Sequence, residues 1–210
     1  MKKKIIVGVI DTGTSNIKSV YYALEQNDVK VIEIKKFKQI QIDAMVVPGV
    51  GSFKYVMERL KKTKLDEFIT QKTTKGLPSL FICIGMQILF SKSFEFGETR
   101  GLGIFDGAVN KFPERKDDIK IKIPFIGWNK IKIKKNCSLL KSINDNSFCY
   151  FTHSYYVKPE DKKIISSISN NYNFEYVSSI STKNIFATQF HPEKSGSTGV
   201  KMYKNFIKLI

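Results

Sequence analysis

Arginine is scarce in this chain. Arg59, Arg100 and Arg115 are the only arginines among 35 basic residues. A formal net charge of +16 would suit a nucleic-acid partner. But phosphate and base recognition favour arginine's planar fork, and the lysines run along the whole sequence, alternating with apolar residues in KIKIP and KIKIK. That is the pattern of a solvated face, so no nucleic-acid partner is expected. Cysteine is scarce too. Cys83, Cys137 and Cys149 are odd in number and form no C-x-x-C pair, which supports neither a disulfide framework nor a zinc site. Free thiols in a reducing cytosol follow, and one of them could be catalytic. No run approaches the roughly 18 apolar residues of a membrane span, so no membrane partner is expected. The opening MKKKIIVGVI resembles the start of a signal peptide, but it runs into Asp11-Thr12-Gly13 without a small-residue cleavage site. It is read as the first strand of a cytoplasmic protein. With no repeat, no Pro/Ser-rich linker and no low-complexity block, residues 1–210 are expected to form a single domain.

What is present alternates. KIIVGVI is a continuous apolar run, as in a strand covered on both faces. The turn DTGTSN leads to an amphipathic helix near 15–27, then come strands at VKVIEI and AMVVP. PGVGSF opens a helix near 53–62, another follows near 65–75, and PSLFI is a fourth strand before a helix over IGMQILFSKS. This order implies an α/β fold with a mostly parallel central sheet flanked by helices. The second half is strand-rich, in IKIKIPFIGWNKIKIKK, FCYFTHSYYVK and EYVSSISTKNIFATQF, the last with a turn near Thr182-Lys183-Asn184. That predicts an antiparallel extension. Helical spacing at Val200, Tyr203, Phe206, Ile207 and Ile210 predicts a closing helix.

Cys83 falls at the end of the fourth strand, where a helix begins. Ligands of parallel α/β sheets bind outside the carboxyl ends of the strands, and a tight strand–turn–helix there exposes a nucleophile. The helix start favours an anion, which suits a thiolate, and the Ile84 amide would point to where an oxyanion forms. A buried core cysteine is the plain alternative. A thiolate needs a base, and the chain has two histidines. His191 follows an apolar strand, and Glu193 two residues on can orient its imidazole. His153, in YFTHSYY, has no neighbouring carboxylate and reads as a structural histidine. In PGVGSF, glycines flank Val50 and let backbone approach a ligand, so the Val50 amide could be a second oxyanion donor. The same stretch could be a simple strand-to-helix turn with Ser52 as N-cap.

These motifs resemble the class I glutamine amidotransferases, of flavodoxin-like fold, and within them the glutaminase subunits of imidazole glycerol phosphate synthase. The match runs through IDTGTSNIKSVYYAL, PGVGSF followed by MERL, CIGMQ, GLGIFDG, GWN, YFTHSYYV and QFHPEKSGSTG. The resemblance implies that Cys83 attacks the side-chain amide of glutamine to form a thioester, His191 shuttles protons and Glu193 orients it. It implies an oxyanion hole from the amides of Val50 and Ile84, and substrate contacts from Gly51, Gln87, Ser154 and Tyr155. No metal and no organic cofactor is implied. The implied partner is a cyclase subunit with a (β/α)8 barrel, forming a heterodimer through which ammonia passes. Trp128, Asn129, Tyr150 and Lys194 would lie near that face.

Three positions depart from the family pattern. Phe81 stands where a glycine usually sits two residues before the nucleophile, so its neighbours must be small or the turn must shift. Thr12 and Ser15 replace a tyrosine and a glycine near the N-terminus. Two other readings follow: a related glutaminase serving a surface-sugar amidotransferase, and a non-catalytic scaffold subunit.

Overall fold

The computed structural model describes residues 4–13 and 17–210. Ser15 and the start of the expected first helix lie outside the described residues. Strands β1 (Ile6–Ile10), β2 (Lys30–Ile34), β3 (Ala44–Val47) and β4 (Ser79–Ile82) alternate with helices α1 (Ile17–Glu25), α2 (Phe53–Thr63), α3 (Leu65–Thr74) and the short α4 (Ile84–Ile88). There follow β5 (Phe90–Ser93), β6 (Thr99–Arg100), β7 (Phe105–Lys111), β8 (Arg115–Lys116) and β9 (Ile119–Lys120). Next come β10 (Phe125–Lys130), β11 (Lys132–Ile133), β12 (Phe148–His153) and β13 (Tyr155–Pro159). The chain closes with β14 (Ile165–Asn171), β15 (Phe174–Ser181), β16 (Ile185–Thr188) and α5 (Gly196–Ile207).

The main sheet has eight strands in the order β11-β14-β15-β16-β4-β3-β1-β2. From β2 to β16 the pairings are parallel, and from β16 outward they are antiparallel. The expected parallel core with an antiparallel extension is therefore what forms. β3, β4 and β16 are fully buried along their length, as their continuous apolar runs require. Side chains alternate across β4. Leu80 and Ile82 join the core under α1 and α5, with Val20, Leu24, Met202 and Phe206. Phe81 joins the opposite core under α2 and α3, with Phe53, Val56, Leu60 and Phe68. A second sheet, β13-β7-β5-β6, and the antiparallel pair β10-β12 stand beside the carboxyl ends of the parallel strands.

Two expectations change. The helix over 84–93 ends at Ile88, and Phe90–Ser93 becomes a strand. The cause lies far along the chain: Leu102 donates to the Ile88 carbonyl at 2.8 Å, and Ile104 and Phe105 donate to that of Leu89 at 2.9 and 3.0 Å. These bonds capture carbonyls that a longer helix would use. The second change concerns α5, whose buried stripe is Gly199, Met202, Tyr203 and Phe206, while Val200 faces out.

Phe81 is fully buried in the core under α2 and α3. Ala187 is its partner in register on β16. Gly85, in the first turn of α4, lies over it, and a Cβ there would sit 3.7 Å from that of Phe81 while running into the Val47 carbonyl. Gly85 thus lets α4 rest directly on the ends of β3 and β4. Gly85→Ala is expected to destabilise the chain by about 1–3 kcal/mol through forced overpacking, lowering Tm by roughly 2–10 °C. Thermal unfolding measures this, and an unchanged Tm would contradict the close approach.

Candidate active site

The strand-to-helix turn after β4 has an unusual backbone. Cys83 sits at φ 55°, ψ −109°, outside the regions that L-residues normally occupy. Such a conformation costs about 1–3 kcal/mol and persists only where its surroundings enforce it. Here the Cys83 amide donates to the Thr188 carbonyl at 2.7 Å, and its carbonyl accepts from Met86 and Gln87 at 3.0 and 3.3 Å. The strand is thereby locked to β16 on one side and to α4 on the other.

The sulfur borders a cavity of about 390 Å³ at the carboxyl ends of the parallel strands. Val50, Gly51, Ile84, Gln87, Ser154, Tyr155 and Lys194, all singled out from the sequence, line it. Gly49 brings the 48–51 loop against Ile84, where any Cβ would strike the Ile84 side chain. The Thr12 hydroxyl donates to the Pro48 carbonyl at 3.0 Å and holds the base of this loop. Ile84, first in its helix, has an amide with no intrahelical acceptor. Gln87 is itself pinned, donating to the Tyr155 carbonyl at 3.1 Å and to Gln189 Oε1 at 3.0 Å.

His191 and Glu193 meet directly, with Nδ1 2.7 Å from Oε1. The carboxylate holds the ring through Nδ1 and leaves Nε2 on the opposite edge. The loop carrying them is tied down: the His191 amide donates to the Tyr150 carbonyl at 2.9 Å, and Ser195 Oγ donates to the His191 carbonyl at 2.6 Å. Gly199 lets α5 press on this loop, since a Cβ there would run into the Pro192 carbonyl. Burial by itself would lower the imidazole pKa. The charge and hydrogen-bonding capacity of Cys83, and then of Glu193, outweigh it and push the pKa up to about 10. Nε2 is buried and closes no hydrogen bond among the described residues. His153 lines the same cavity, but burial lowers its pKa to about 4 and its Nδ1 lies 2.8 Å from the Tyr155 carbonyl. It is a neutral wall, in keeping with its structural reading.

Several site residues escaped the sequence reading. Gln189 Nε2 donates to the Cys83 sulfur at 3.7 Å, and the Thr152 carbonyl lies 3.8 Å from it. Glu95 lines the cavity and accepts from the Phe53 amide at 2.6 Å. Ser52 holds the N-cap position of α2 but makes no side-chain cap; the first amide of the helix, that of Phe53, is instead taken by Glu95. The available signals were slight: Gln189 is two residues before His191, and Glu95 sits between Phe94 and Phe96, both exposed.

Trp128, Asn129 and Tyr150 stand on the β10–β12 pair, outside the cavity. Trp128 is 54% exposed and packs edge-on against Tyr150, whose ring carries Lys194 Nζ at 5.7 Å. Ile126 and Phe148 are also exposed on this pair. Asn129 points elsewhere, donating to the Asn170 carbonyl at 2.9 Å and to the Tyr176 hydroxyl at 3.3 Å.

The opposed histidine shifts are directly measurable. By ¹⁵N NMR, His191 is expected to remain protonated at pH 8 and His153 to remain neutral at pH 6. In Cys83→Ala the His191 titration should move down, because its largest upward cause is removed. A His191 that titrates near 6.5 in the unaltered chain would contradict this arrangement.

Comparison with known proteins agrees with the geometry. Residues 8–209 match the family "Glutamine amidotransferase class-I". The imidazole glycerol phosphate synthase subunit HisH of Methanocaldococcus jannaschii is 40% identical, over 98% of this chain and 100% of its own. That of Caldanaerobacter subterraneus subsp. tengcongensis is 43% identical over 98% of each, and that of Aquifex aeolicus 41% over 94% of each. Among solved structures, a glutamine amidotransferase superposes with a TM-score of 0.73 at 14% identity, covering 97% of each chain. PurLQS from Thermotoga maritima gives 0.73 at 17%, covering 98% of this chain and 99% of that one. The chain belongs to the class I glutamine amidotransferase family and, within it, groups with the HisH subunits of imidazole glycerol phosphate synthase.

Proposed function

We propose that the chain, acting as one domain over residues 1–210, hydrolyses the side-chain amide of glutamine and passes the ammonia to a synthase partner. The observation that carries this reading is a cysteine on a strained elbow, facing a cavity, beside a histidine fixed by a carboxylate at 2.7 Å. The Cys83 thiolate attacks the amide carbon. The carbonyl π electrons move onto oxygen, where the amides of Val50 and Ile84 receive the charge. His191, as imidazolium, gives its Nε2 proton to the leaving nitrogen, and the C–N bond breaks to release ammonia and a thioester. Water then adds to the thioester with His191 as base, the C–S bond breaks, and glutamate leaves. Glu193 holds the ring and balances its charge throughout. Sulfur and Nε2 tighten into hydrogen-bond contact on substrate binding, as is common for sites without ligand.

Gly51, Gln87, Ser154 and Tyr155 would hold glutamine. Their place on the cavity wall supports this, and Glu95 offers a carboxylate for the substrate's α-ammonium. The partner would be a (β/α)8-barrel cyclase in a heterodimer, making imidazole glycerol phosphate and an aminoimidazole carboxamide ribotide in a cytoplasmic histidine pathway. The relatives' names favour this customer over a surface-sugar amidotransferase. The exposed Trp128–Tyr150–Lys194 cluster, reaching the cavity through Lys194, suits an interface anchor, with Asn129 bracing its strand from behind. Among the described residues no helix is long and apolar enough to cross a membrane.

Cys83→Ala is expected to lower glutamate release from glutamine by at least about 10³-fold while leaving Tm within a few degrees. The assay is run with the partner subunit and its ligand present. Turnover comparable to the unaltered chain would refute the nucleophile.

A further inference from the structure

The groups that hold the Cys83 sulfur do not include the histidine. Nε2 of His191 closes no hydrogen bond among the described residues. Two other groups reach the sulfur. The Thr152 carbonyl lies 3.8 Å from it and can accept from a thiol S–H. The Gln189 side-chain amide donates to it at 3.7 Å. Gln189 directly follows β16 and is fully buried, and its backbone amide donates to the Ser178 carbonyl at 2.8 Å. It is absent from the wall of the cavity that Cys83 borders. It therefore meets the sulfur from the protein side, where substrate does not displace it.

A primary amide has one end that donates and one that accepts, and its neighbours decide which end faces the sulfur. Gln87 is the neighbour here. Its Nε2 carries two hydrogens, and both are spent: one on the Tyr155 carbonyl at 3.1 Å, one on Oε1 of Gln189 at 3.0 Å. Turning the Gln189 amide over would set its NH2 group against that of Gln87 and its oxygen against the sulfur. The Tyr155 carbonyl, which only accepts, settles Gln87 in the same way. The backbone of β13 thus aims an N–H at Cys83 through two amides. Burying amides is costly unless their hydrogen bonds are made. Here they are made, and the last of them ends on the nucleophile.

Building on the nucleophile reading above, we propose that Gln189 is a catalytic residue, whose Nε2–H holds the Cys83 sulfur in place and receives the negative charge of the thiolate before it attacks glutamine. A donor bonds an ionised acceptor roughly twice as strongly as a neutral one. The Thr152 carbonyl does the reverse, since it can bond only the thiol, and Gln189 offsets its unfavourable dipole. As the C–S bond forms, a sulfur electron pair goes to the amide carbon and the bond from Gln189 weakens. When that C–S bond breaks and glutamate leaves, the pair returns to sulfur and the bond from Gln189 is restored. Gln87 is the positioning residue for Gln189, in addition to its place on the cavity wall.

The test is Gln189→Met, which keeps an unbranched side chain and removes both polar ends. Glutamate release is measured with the partner subunit and its ligand present. The expected result is a kcat per folded chain lowered about 10- to 100-fold, with KM for glutamine changed by no more than about threefold. A merely packing role would lower Tm and leave the kcat of folded chains in place. A loss that came through Gln87 and its substrate contact would raise KM and leave kcat. Either result overturns the proposal. Side-chain amide resonances in ¹⁵N NMR keep the test available if the variant folds poorly. Those of Gln189, assigned through its backbone, should move in Cys83→Ala, and identical resonances in the two chains would overturn the bond to sulfur. Cys83→Ala is also the control for activity. If it is inactive while Gln189→Met keeps parental kcat, the role of Gln189 is overturned and the nucleophile stands. If Cys83→Ala keeps parental turnover, the nucleophile reading itself fails, and the role of Gln189 with it.

Discussion

The structure depends on one strained peptide turn. Cys83 occupies a backbone conformation that its side chain disfavours, and the surrounding sheet supplies what holds it there. β4 lies between β3 and β16 in the most deeply buried part of the sheet. Its last residues cannot relax without breaking parallel pairing on both sides. Gly85 then lets the next helix start at once, on top of Val47 and Phe81. The strain is therefore balanced by core burial that has no catalytic purpose of its own. A large ring at Phe81 is compatible with this because it is buried in the core under α2 and α3, with Ala187 beside it on β16.

A second group of contacts brings the His191–Glu193 pair toward the sulfur. Here the chain uses short backbone ties: the 191–195 loop is bound to Tyr150 of β12 and pressed by α5 through Gly199. The electrostatics follow from that placement. His191 and His153 are both buried, yet their pKa values move in opposite directions. The difference is charge: His191 has Cys83 and Glu193 beside it, and His153 has a backbone carbonyl and aromatic rings. Burial alone would make both neutral.

The central features were legible because they are local in sequence. An apolar run ending in Cys83-Ile84-Gly85, and His191-Pro-Glu193 after another run, each carry their own geometry. So does Pro48-Gly-Val-Gly51. What was not legible depends on distant contacts. The end of α4 at Ile88 is set by carbonyls captured from residues 102–105. Glu95 enters the site because its loop folds back to cap α2 at Phe53. Gln189 and Thr152 reach the sulfur only through the packing of β16 and β12 around β4. The closing helix was legible from its spacing, and Tyr203 and Phe206 are buried; that Gly199 packs against Pro192 while Val200 is exposed was not.

The most direct test of the central claim is site-selective alkylation. The chain is treated with a glutamine analogue bearing a γ-diazoketone, and the modified cysteine is identified by peptide mass mapping. Exposure and reactivity point to different residues: Cys137 is half-buried, whereas Cys83 and Cys149 are buried. An activated elbow nucleophile requires a single adduct on Cys83, prevented by excess glutamine. Labelling that follows exposure, with Cys137 modified and Cys83 untouched, would contradict the account.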